Sequence, residues 1–129
     1  MIQKSRANSM NKSCQVTSAE VVVHLAAEEA EIAAANYVNA LATFIGQTRT
    51  IRHLTADSSP LGEVLRATIA VPPAREGLAS ASEGFDRARK ELRRAMITLG
   101  VEQGESVSEM GRLLGLSKQY AQRLHSGLE

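Results

Sequence analysis

A chain of 129 residues has room for one or two small domains. Its single cysteine, Cys14, excludes an intramolecular disulfide and leaves a structural zinc site without ligands. Two tyrosines, two phenylalanines and no tryptophan make a poor platform for stacking single-stranded bases. The net charge of +1 conceals an uneven distribution. Glu20, Glu28, Glu29 and Glu31 stand in a stretch without Lys or Arg, whereas residues 87–129 hold eight basic side chains against five acidic ones. An acidic front and a basic rear direct any polyanionic partner to the rear.

The first sixteen residues are polar and basic, without periodicity, and read as a flexible tail. Lys4, Arg6 and Lys12 are either a basic arm or part of a plain tail. No secretory signal core and no apolar run of ~20 residues is present, so a cytoplasmic protein is expected. Thr17 and Glu20 have the spacing of a capping box, and a long alanine-rich helix is predicted from about Ser18 to about Leu54. Val21, Leu25, Ile32, Val38, Leu41 and Ile45 are assigned to dimerisation. Tyr37, Phe44, Ile51 and Leu54 form an adjoining strip. Together they are too wide for a strict two-stranded seam and suit a helix buried on more than one side. Gly46 marks a bend, a close crossing or simple tolerance.

Next, Ser59 and Pro60 have the residue types of a cap and a first helical position. They open a short helix with Leu61, Val64, Leu65, Thr68 and Ile69 on one face. Pro72 and Pro73 forbid its continuation. Beyond them Leu78, Ala81, Phe85, Ala88, Leu92, Ala95 and Leu99 recur in alternating steps of three and four, which is heptad spacing. One helix from about Ala74 to about Leu99 is predicted, with a break near Ser82–Gly84 as the alternative. In its last part Ala88, Leu92, Ala95, Met96 and Leu99 share a face. Arg87, Arg89, Lys90, Arg93 and Arg94 lie largely on the other, either as phosphate contacts or as a solvated face.

The loop GVEQGES leads to a second capping-box spacing, Ser106 to Glu109. A short helix follows, with Val107, Met110, Leu113 and Leu114 inward. Gly115 ends it, since glycine alone takes the left-handed conformation without steric cost. Leu116 plugs the corner, and Ser117 caps a last helix with Ala121 and Leu124 inward. Its outward set is Lys118, Gln119, Gln122 and Arg123, with Tyr120 to one side and His125 at the end.

Residues 106–124 resemble the helix-turn-helix of bacterial and phage repressors, of sigma-factor promoter-reading domains and of site-specific recombinases. Gly111 at the helix crossing, Gly115 in the turn, Leu116, Ala121 and Leu124 carry the resemblance. Those families usually have alanine where Gly111 stands; glycine permits the same close approach. With the helical patterns before it, the resemblance leads to the expectation of an all-α chain, with an N-terminal long-helix bundle for dimerisation (17–86) and a C-terminal trihelical helix-turn-helix (87–129). The chain ends too soon after it for a β-wing. It further implies a dimeric, sequence-specific regulator of double-stranded DNA, a repressor by preference. Ser117, Lys118, Gln119, Tyr120, Gln122 and Arg123 would read bases, and Ser106, Ser108, Arg112, Arg93 and Arg94 would meet phosphates. Two alternatives stay open: an antitoxin-like or adaptor protein that binds a partner through 17–86, and a sequence-tolerant architectural DNA binder.

No enzyme is expected. His24, His53 and His125 are scattered, no phosphate loop or dinucleotide fingerprint appears, and neither a metal nor a cofactor is called for.

Overall fold

The computed structural model describes residues 17–68 and 72–127, and every element of regular structure among them is an α-helix. Lys4, Arg6, Lys12, Cys14 and Ile69 lie outside the described residues. The helices are α1 (Ser18–Ala56), α2 (Leu61–Thr68), α3 (Pro72–Glu102), α4 (Val107–Leu113) and α5 (Lys118–Ser126). No helix among the described residues is long and apolar enough to cross a membrane.

The long helices follow from their caps and their alanine content. Thr17 Oγ1 accepts the Glu20 amide at 3.2 Å, which satisfies one of the donors left over at the start of α1. α1 then continues through Gly46, where an added Cβ would meet nothing within 4 Å. This glycine is simply tolerated. α2 starts where Pro60 accepts from the amides of Glu63 and Val64. α3 is unbroken through Ser82–Gly84 and runs three residues beyond Leu99. It stops at Gly104, whose φ of +102° lets the amides of Gly104 and Glu105 return to the carbonyls of Val101 and Gly100.

The chain divides into two units. One groups the described residues up to Glu28 with those from Lys90 onward; the other is Glu29–Arg89. α1 and α3 contribute to both.

In the Glu29–Arg89 unit, the side of α1 carrying Ala33, Tyr37 and Ala40 lies along α3. Ala33, Asn36 and Ala40 line one hollow with Gly77, Ser80, Ala81 and Gly84. The Tyr37 and Phe85 rings stand 5.6 Å apart, within the range for favourable aromatic pairs. Small residues on both helices permit this approach. Gln47 Nε2 donates to the Thr68 carbonyl at 3.3 Å and ties α1 to the end of α2. Val64 is the one buried residue of α2; Leu61 and Leu65 are exposed. The predicted five-residue face of α2 is thus reduced, among its described members, to Val64 and the half-buried Thr68.

In the other unit, Ile97, Ala121 and Leu124 are fully buried, and Val101, Val107, Met110, Leu114, Leu116 and Tyr120 pack around them. Ala19 and Ala95 are buried as well. Here α3 is covered on two sides. The predicted face holds Ala95, whereas Ile97, Gly100 and Val101 form a second face towards α4 and α5. A Cβ on Gly100 would run into the Met110 side chain, which would have to shift to admit it.

Candidate nucleic-acid interface

Two serine caps and one glycine turn set the geometry of α4 and α5. Ser106 Oγ accepts the Glu109 amide at 3.0 Å. Ser117 Oγ accepts the Tyr120 amide at 3.1 Å. Between them Gly115 sits at φ +72°, and the Leu116 amide reaches back 2.8 Å to the Gly111 carbonyl. Glu109 does not complete the expected reciprocal box. Its carboxylate takes two hydrogen bonds from the Arg112 guanidinium, at 2.9 and 2.5 Å, because an Arg three residues on offers a charged fork within easy reach. These bonds hold the Glu109 carboxyl below its ordinary range and raise the guanidinium.

The two helices cross at Gly111 and Ala121, both buried. A Cβ on Gly111 would lie 2.7 Å from the Ala121 Cβ, closer than real Cβ atoms come. The crossing therefore requires glycine at Gly111 so long as alanine stands opposite. Leu113, expected inward, is 61 % exposed. The inward positions of α4 are Val107, Met110, Gly111 and Leu114. At 100° per residue Leu113 falls about 60° outside that arc.

α5 divides cleanly between two environments. Ala121 and Leu124 are fully buried. Ser117, Lys118, Gln119, Gln122, Arg123 and His125 are exposed. Tyr120 is half-buried and belongs to the core surround, with the Arg123 guanidinium 5.8 Å from its ring centre. Tyr120 thus supports Arg123 from below, a contact of the cation–π kind.

Of the side chains expected at phosphates, Ser106 and Arg112 are exposed and Ser108 and Arg93 half-buried. Arg94 has a different place. Its Nε donates to the Leu124 carbonyl at 3.0 Å, and its guanidinium also pairs with Glu91. A cation is thereby held at the last turn of α5, where unpaired carbonyls and the negative end of the helix dipole converge. This interaction joins α3 to α5. Sequence periodicity gave no warning of it, because it placed all five basic residues on one outward face. Among the described residues no cluster of three or more His, Cys, Asp or Glu is disposed to hold a metal ion.

No protein-family model matches the chain, and no curated protein or solved structure matches it either.

Proposed function

We propose that this chain is a sequence-specific double-stranded DNA-binding protein of the helix-turn-helix kind. It would act as a dimeric regulator, most directly by occluding a promoter or an origin. One observation carries the proposal: the exposed row Lys118, Gln119, Gln122 and Arg123 lies on a short helix whose other side is fully buried. A helix of this size fits the major groove. The amides of Gln119 and Gln122 suit the paired donor and acceptor of adenine, and Arg123 and Lys118 suit guanine. No acidic side chain stands on α5 to repel a polyanion.

Ser117 would bring the N-terminus of α5 to a phosphate, where unpaired amides favour an anion. Ser106, Ser108 and Arg112, with Arg93 on α3, are the remaining candidates for backbone contact. Arg112 would then exchange part of its bond with Glu109 for phosphate. Arg94 enters as a positioning residue, committed to α5 itself. Tyr120 likewise sets the direction of Arg123.

Site selection from random duplexes, followed by mobility-shift titration, tests the proposal. The selected site should bind on the order of 10³-fold or more tightly than a scrambled duplex at fixed salt. Gln119→Ala with Arg123→Ala should remove most of that ratio while circular dichroism stays unchanged. An unchanged ratio in the double variant would end the assignment of base reading to α5. Equal binding of selected and scrambled duplexes would favour an architectural DNA binder.

A further inference from the structure

A side of α1 next to the one that meets α3 carries a row of large apolar residues that remain exposed. Val38, Leu41 and Ile45 are 63 %, 38 % and 48 % exposed. At 100° per residue this row lies roughly 105° around α1 from Ala33, Tyr37 and Ala40, which face α3. Ala35 and Ala42 stand beside it, also exposed. Three large apolar side chains aligned on one face form a patch, unlike the single exposed hydrophobes normal on a surface. The row has charged ends of opposite sign: Glu31 before it, Arg49 and Arg52 after it, all exposed.

That pattern complements itself in one orientation. Parallel copies would place Glu31 on Glu31 and Arg49 on Arg49. Antiparallel copies place Glu31 opposite Arg49 at both ends, as an isologous two-fold contact requires. We propose that this face is the seam of an antiparallel homodimer, with its two-fold axis at the level of Ala40. Ala35 then opposes Ile45 and Val38 opposes Ala42, large against small, so the helices interdigitate. A hollow of about 250 Å³, lined by Phe44, Ile45, Thr48, Arg49 and Arg52, lies on this face. It receives the turn of the second copy that carries Glu31 and Ala35, an acid brought to a hollow rimmed by two guanidinium groups. Val38, Leu41 and Ile45 are among the residues assigned to dimerisation from sequence; what the structure adds is their exposure, from which the direction of pairing and the register are inferred. The seam does not depend on whether α5 reads DNA.

Sedimentation equilibrium on the full chain tests it. Unmodified protein should be dimeric at micromolar concentration. Val38→Asp with Ile45→Asp should raise the dissociation constant at least a hundredfold. Glu31→Arg alone, or Arg49→Glu with Arg52→Glu, should raise it about tenfold, and combining all three changes should restore most of the loss. All of these residues are exposed, so circular dichroism should be unaffected. A monomer at tens of micromolar overturns the seam, whether or not the face then captures a foreign protein. So does a dimer indifferent to these variants, which would be held together elsewhere. Orientation is read by oxidising a mixture of Ala35→Cys and Ile45→Cys chains, both with Cys14→Ser. Mixed disulfides support the antiparallel register, and disulfides only between like chains overturn it. DNA binding is measured separately, so loss of pairing and loss of base reading are distinguishable.

Discussion

The region around α4 and α5 and the Glu29–Arg89 unit treat their apolar residues in opposite ways. Around α4 and α5, three short stretches of helix bury Ile97, Ala121 and Leu124 completely. In Glu29–Arg89, a much longer run of helix leaves Val38, Leu41, Phe44 and Ile45 more than a third exposed. Glycine and alanine explain part of the contrast. Gly100, Gly111 and Ala121 let three helices close on one point, so the large side chains between them have partners on every side. Along α1 the small residues Ala33 and Ala40 let α3 approach one face, and Val38, Leu41 and Ile45 are left on the next. The core around α4 and α5 closes within one chain; Glu29–Arg89 presents a face that the proposed second copy would cover.

Truncation should expose this contrast most strongly. Leu124→Ala removes a fully buried side chain and should cost about 2–5 kcal/mol of unfolding free energy. Ile45→Ala removes a comparable volume from an exposed site and should stay within about 0.5 kcal/mol for the single chain. Denaturant unfolding at concentrations low enough to hold the protein monomeric measures both. Equal losses would mean that Ile45 is covered within its own chain, and the contrast would fail.

Gly111→Ala sharpens the account of the core around α4 and α5. Overpacking at the crossing costs about 1–3 kcal/mol, and alanine returns about 1 kcal/mol of helix propensity. A net loss of about 1 kcal/mol is therefore expected in thermal or denaturant melts. Ala121→Gly in the same chain should recover the clash but not the propensity, giving a coupling that neither single change predicts. If Gly111→Ala stabilises the protein, α4 and α5 do not meet in close contact at Gly111 and Ala121, and this account of the crossing fails.

Much of this geometry was legible in the sequence because it is local. Ser106, Ser117 and Gly115 act on amides and torsions within a few residues, so their spacing alone announces them. The heptad positions from Leu78 to Leu99 are all at least half-buried, since a helix packed along one neighbour obeys one period. Ile97 and Gly100 are missed because α3 is covered on two sides, and a single-face reading keeps only one of them; Leu113 is misplaced because it falls outside the inward arc of α4. The outward row of α5 was legible by elimination from Ala121 and Leu124. Arg94 was not, because a hydrogen bond across thirty positions of sequence leaves no periodic trace.

Arg94 offers a test in which position and charge separate. Arg94→Ala should lower affinity for the selected duplex by on the order of 1–2 kcal/mol, as expected for a partly screened, charge-assisted bond that steadies α5. The slope of log K against log salt should not change. A phosphate contact would instead flatten that slope by about 0.9. Arg94→Lys should fail to rescue, because an ammonium lacks the planar fork that reaches Leu124 and Glu91 together.

The smallest effect concerns Glu109, and its sign is fixed by the Arg112 hydrogen bonds that hold the folded carboxyl below its ordinary range. A carboxylate with a depressed folded pKa stabilises above its unfolded value, about 4.3, and loses that contribution as pH falls through the folded value. The Glu109 side chain is more than a third open to solvent, so the bond is screened and the effect on melting should be slight at neutral pH. Comparing unmodified protein with Glu109→Gln across pH should show a small advantage for the glutamate near pH 7 that vanishes in acid. High salt should shrink the same advantage. The variant also frees Arg112. If that guanidinium is a phosphate contact, Glu109→Gln should tighten DNA binding while weakening the fold, two shifts of opposite sign from one substitution. A parallel loss of both would place Arg112 outside the interface and leave α4 with a purely structural ion pair.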